Sequence, residues 1–129
     1  MSDDRGQAIL ALVLALGIAT TAIVGLRAAQ ERIVSGARAQ RAGEAAVEAA
    51  AQSVADAYAA RPAGARELVV DPRVLETARA AAQELARENG GREIERLELS
   101  CNGDRIEARL VLTGYSHHAG FRAPECSRP

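Results

Sequence analysis

The residues of this chain that could do chemistry are few and widely spaced. His117-His118 is the one histidine pair. Adjacent histidines in a strand or loop point apart, so they seldom hold one ion, and neither cysteine nor any carboxylate stands at a recognised metal spacing from them. A hydrolase built from Ser100, Ser116 and the histidines lacks the G-x-S-x-G elbow that would expose a nucleophile. Asn89-Gly90-Gly91 follows a helical pattern rather than a strand, which makes it a helix stop and not a phosphate loop. Cys101 and Cys126 lack the CxxC spacing of redox and zinc sites. In an oxidising compartment they would pair as a disulfide; in a reducing one, Cys101 would be a core thiol on the face of Leu97 and Leu99. The sequence therefore predicts no enzyme, no metal and no cofactor.

Composition points the same way. The chain has 129 residues, 48% apolar but only 2% aromatic, with 16 basic residues, all Arg, against 17 acidic ones. Both signs alternate along the chain, so no basic face for nucleic acid emerges. No small-molecule substrate suggests itself. Much of the apolar content is Ala, which buries little area per residue and makes for a shallow core.

The element that must organise everything else is Ala8 to Leu26, AILALVLALGIATTAIVGL, which holds no charge. About 20 apolar residues rising 1.5 Å each cross the roughly 30 Å hydrocarbon core of a bilayer. A helix is the only single segment that satisfies its own backbone there. Residues 1–7 form a short leader before residues 8–26, the predicted transmembrane helix, whose first partner is lipid. A cleaved signal peptide and a buried core helix are the other readings. The leader's Asp3 and Asp4 offset Arg5, which suits a signal poorly, and the rest of the chain is too small to wrap the helix. Gly17, Thr21 and Gly25 recur every four residues on one face. Small residues at that spacing let membrane helices approach closely, although an Ala/Gly-rich segment also shows it by chance. Orientation stays open. Arg27, Arg32, Arg38 and Arg41 after the span favour a cytoplasmic C-terminal part, but long following domains translocate regardless of such charges.

Residues 27–62 read as an amphipathic helix that continues from the span, with Val47, Ala50, Ala51, Val54 and Tyr58 on one stripe and Gly36 and Gly43 as weak points. It should stop near Arg61-Pro62. Residues 63–129 form a small head. Ala63 to Val70 is a connector with a short extended piece at Leu68 to Val70. Asp71 and Pro72 start a second helix, with Leu75, Ala78, Ala82 and Leu85 inward. A hairpin follows, turning at Asn102-Gly103. That turn sets Leu99 opposite Ile106, Leu97 opposite Ala108, Glu98 opposite Glu107 and Arg96 opposite Arg109. Gly114 to Pro129 reads as an exposed tail. The fold class is α+β: a long N-terminal helix carrying a small helix-plus-antiparallel-hairpin head.

Asp4-Arg5-Gly6-Gln7-Ala8, running straight into an apolar helix, resembles the start of TadE/TadG-like proteins of tight-adherence (Flp) pilus assembly. Arg38 to Ala51 is similar to the Arg- and Ala-rich helix after their span. Ala80 to Leu112 is similar to their C-terminal helix, glycine stop and cysteine-bearing hairpin. The resemblance implies a minor pilin or pseudopilin: a single-pass protein of the cell membrane with its head outside the cytoplasm, and with other pilins or pilus-assembly membrane proteins as partners. It implies that a prepilin peptidase cuts after Gly6. Pilin-like relatives often carry Glu five residues beyond that glycine; Ala11 stands there, which moves the chain towards the TadG-like side. The alternative is a membrane-tethered binding module of a secretion system with a cytoplasmic head.

Overall fold

The computed structural model describes residues 3–127. Met1 and Ser2 of the leader, and Arg128 and Pro129, lie outside them. The chain divides into two compact units, one through Gly36 and one from Ala37 onward. Helix α1, Asp3–Ala60, contributes to both and stops just before Arg61-Pro62. The fold is α+β, a long N-terminal helix followed by short helices and an antiparallel sheet.

In the first unit every residue from 6 to 36 is exposed. In the second, α1 buries Ala42, Ala46, Val47, Ala50 and Val54. The stripe recurs every three or four residues, as an amphipathic helix requires. Burial of this stripe begins at Ala42; residues 27–38 are exposed all round.

The connector is helical, contrary to the extended piece expected at Leu68 to Val70. A 3-10 turn, Pro62–Gly64, leads into helix α2, Ala65–Leu68. Ala65 and Leu68 are buried. Their i, i+3 spacing puts both on one side of a helical turn, and an extended Leu68–Val70 would turn Leu68 and Val69 to opposite faces. Helix α3, Pro72–Glu88, begins where the sequence places it: Asp71 caps it by accepting from the Arg73 N–H at 2.9 Å. It ends in a Schellman pair, with Gly90 N–H donating to Arg87 O and Gly91 N–H to Ala86 O, and Gly90 at φ +74°. Gly91 is pressed so closely on Ala42 that an added Cβ would lie 2.8 Å from the alanine's own.

The sheet has three strands, not two: β1 Ile94–Asn102, β2 Arg105–Leu112 and β3 Tyr115–Arg122, in that order and antiparallel. The expected tail is thus a strand followed by a 3-10 turn, Pro124–Ser127, with Ala123 and Cys126 buried. Tyr115, His117, Ala119 and Phe121 alternate with Ser116, His118, Gly120 and Arg122 at the strand period. The loop joining β2 to β3 is Thr113-Gly114, with φ at +53° and +77°. Two positive φ values make the type I′ geometry that suits hairpins. Thr is an unusual residue there, which hides the turn in the sequence.

The first hairpin is also displaced from expectation. Its loop is Gly103-Asp104, and Asn102 belongs to the strand, opposite Arg105. Gly103 takes φ +59° and supplies the positive φ at the first central position, as in a type II′ turn. Leu99 faces Ala108, Leu97 faces Leu110 and Cys101 faces Ile106. This slides β2 by two residues, which keeps the apolar rows on one face. It also replaces two like-charge oppositions: Glu98 now meets Arg109, and Arg96 meets Val111. A bulge at Glu95 lets both Ile94 and Leu97 point inward.

Candidate functional site

Two features stand out as places where function could reside, one in each unit. In the first unit, α1 is the one helix among the described residues long and apolar enough to cross a membrane, and the apolar window that qualifies it has no buried residue. Leu10, Leu12 and Leu14 are 70%, 62% and 61% exposed. In water such a surface costs about 25 cal/mol for each Å² left uncovered. Gly17 and Gly25 have open space where a Cβ would stand. The Thr21 hydroxyl donates to Gly17 O and that of Thr20 to Leu16 O, at 2.6 Å in the second case. Both hydroxyls are therefore satisfied inside their own helix, the arrangement an apolar solvent demands. Gly6 lies within α1, so the Gly6-Gln7 bond expected to be cut is helical.

In the second unit, the segment from Phe121 to Cys126 is held from several sides. Cys101 on β1 is bonded to Cys126, with 5.4 Å between Cα atoms. The Arg66 guanidinium donates twice to Cys126 O, at 3.2 and 3.1 Å. The Tyr58 hydroxyl donates to the Glu125 carboxylate, and the Tyr58 ring lies 5.6 Å from that of Phe121. Ala123 N–H donates to Asp104 O at 2.7 Å. A disulfide closing a loop of 25 residues stabilises the fold by about 3 kcal/mol through the unfolded chain. That contribution is sizeable for a core whose largest fully buried side chains are Leu68, Ile106, Leu110, Leu112 and Val54.

The histidines separate. His117 is 5% exposed, and its Nε2 is buried with no hydrogen-bond partner among the described residues. Its ring fills the space above Gly43, where an added Cβ would fall 2.1 Å from Nε2. Gly43 is thus a contact residue and not a bend. His118 is exposed on the other face of β3. Ser100 and Ser116 are exposed on β1 and β3, and their cross-strand neighbours on β2 are Glu107 and Val111, so neither serine is paired across the sheet with a histidine. Among the described residues, no three or more His, Cys, Asp or Glu are grouped as a metal site would need.

Sequence reasoning missed the third strand and the buried imidazole. The alternation from Tyr115 to Arg122 after a glycine carried the signal for the strand, and His117 on its apolar side carried the signal for burial. Comparison of the chain with protein-family models, curated proteins and solved structures finds no match.

Proposed function

We propose that this chain is a single-pass membrane component of a Tad/Flp-type pilus assembly, similar to a minor pilin or pseudopilin, with its head outside the cytoplasm. It acts by helix packing and head contacts and not by catalysis. The observation that carries the reading is the run of exposed Leu, Ile and Val from Ile9 to Leu26, in a stretch of α1 that holds no charge. Lipid, or neighbouring apolar helices, is the surrounding in which that surface is stable. The Asp4-Arg5-Gly6-Gln7-Ala8 start supports the pilus assignment. The Cys101–Cys126 bond supports an extracytoplasmic head, because disulfides persist in oxidising compartments. Gly17, Thr21 and Gly25 give the face on which other spans pack.

N-terminal sequencing of the protein purified from its own membrane tests the assignment. A start at Gln7 is the result for a processed pilin. A start at Ile23 means a secreted protein and refutes the anchor. A second reading, a tethered binding module with a cytoplasmic head, is favoured by Arg27, Arg32, Arg38 and Arg41 just past the span. Alkaline phosphatase fused after Pro129 separates the two: activity places the head outside, inactivity inside.

A further inference from the structure

In the anchor reading, lipid accounts for the exposed apolar side chains of α1 as far as Leu26, but not for those beyond it. Ile33 lies seven residues further on (33 − 26), about 10 Å along the helix axis. Arg27, Glu31 and Arg32 stand between, so this stretch faces water. Ile33 is nevertheless 71% exposed, and its neighbour Val34 is exposed beside it. No described residue covers either one.

The pattern that leads to Ile33 is that of a helix made to lie along another. Such helices repeat their contact residues every seven, at spacings of three and four. Seven such registers can be drawn on α1. Past Leu26, Arg27, Glu31 or Arg32 falls in all but two of them. Both uncharged registers share Leu26 and Ile33. One adds Ala22, Ala29 and Gly36 and is mostly small side chains. The other adds Ile9, Leu16, Ile23 and Gln30, and so carries a large side chain at almost every turn. All of these are exposed on one continuous helix. A strict seven-residue repeat winds its partners into a left-handed supercoil, the commonest packing of membrane helices as well. Gly17, Thr21 and Gly25 fall outside this seam, so it is a second face of the same helix.

Gln30 bears on what lies against the seam. In a parallel pair without offset, each contact residue meets its own counterpart. An amide both donates and accepts, so Gln30 satisfies Gln30 of a second copy. Against an apolar residue of another helix it would be left without a partner. The flanking positions also suit a copy. Ala22 falls beside Arg27 of the other chain, and Ala29 beside its Val34, so no like charges meet and Val34 gains cover. An antiparallel copy would lay Gln30 and Ile33 along the other chain's uncharged span.

We propose that α1 pairs with a second copy of this chain, parallel and in register, along the seam through Leu16, Ile23, Leu26, Gln30 and Ile33. The pairing rests on the anchor reading, which fixes both chains in one direction. Gln30 sets the register, as a polar residue at a core position does.

The test uses membranes of cells expressing the full-length chain, with the Cys101–Cys126 bond left in place and one further cysteine added per variant. Under a mild oxidant, Leu26→Cys, Gln30→Cys and Ile33→Cys should form covalent dimers roughly tenfold faster than Ala28→Cys and Ser35→Cys on the far side. The chain without an added cysteine should form none. Packing offset along the axis would join unlike positions and leave these uncoupled. In detergent micelles, energy transfer between labelled chains should show Ile33→Glu raising the dissociation constant at least about tenfold. Ser35→Glu should leave it unchanged, and neither should move the unfolding midpoint of the head. Equal coupling at all five positions, coupling at none, or equal association of the two Glu variants would overturn the pairing in a chain that stays with the membrane through an alkaline wash. A chain that washes out would overturn the anchor reading, and the pairing with it.

Discussion

Helix α1 solves two different problems with one geometry. Through Gly36 its large apolar side chains face outward, with Leu10 70% exposed. From Ala42 its buried stripe is chiefly alanine, with Ala42, Ala46 and Ala50 fully buried. The more hydrophobic half is the half without a protein core around it. Burial in this chain is thus set by shape and spacing, while bulk hydrophobicity marks the segment that needs a different solvent. The same contrast holds for glycine. Gly17 and Gly25 face open space, whereas Gly43 and Gly91 are required by a ring and a methyl group already in place.

Truncating Leu110, which is completely buried, tests the comparison with the largest effect. Leu110→Ala should cost about 2–5 kcal/mol of head stability. Leu14→Ala makes the same chemical change in the exposed stretch and should leave head unfolding in detergent unchanged. Chemical denaturation of both variants measures the difference; equal losses would break the comparison. Replacing Cys101 and Cys126 together by Ala should lower stability by about 3 kcal/mol, read as a fall in the denaturation midpoint matched by the wild type under reductant.

Gly43→Ala comes next. Its Cβ cannot coexist with the His117 ring, so an overpacking loss of about 1–3 kcal/mol is expected. Gly17→Ala should leave the head unaffected, because nothing lies within 4 Å. Thr113→Asn is the smallest change and acts in the opposite direction. Thr113 holds φ +53°, which asparagine adopts more readily, so the head should gain about 1 kcal/mol, seen as a higher unfolding midpoint.

Those variants also mark what the sequence could and could not reveal. The α+β order, the cap at Asp71 and the stop at Asn89-Gly90-Gly91 are local signals, and local signals are legible. The turn at Gly103-Asp104 depends on cross-strand partners. Asn-Gly is the stronger turn dipeptide, but pairing Glu98 with Arg109 outweighs it. Strand β3 stays hidden because Thr113 is an atypical turn residue and because a histidine occupies an inward position. The role of Gly43 cannot be read at all before β3 is known, since the ring it accommodates comes from 74 residues further along the chain (117 − 43).

The proposed pilus role presupposes a head carried on a lipid-embedded helix. Fractionation of cells expressing the native, full-length chain tests that most directly. The account predicts that the protein stays with the membrane pellet through an alkaline carbonate wash and leaves it only with detergent. Recovery of the uncut chain as a monomer in the aqueous fraction, without detergent, would contradict it.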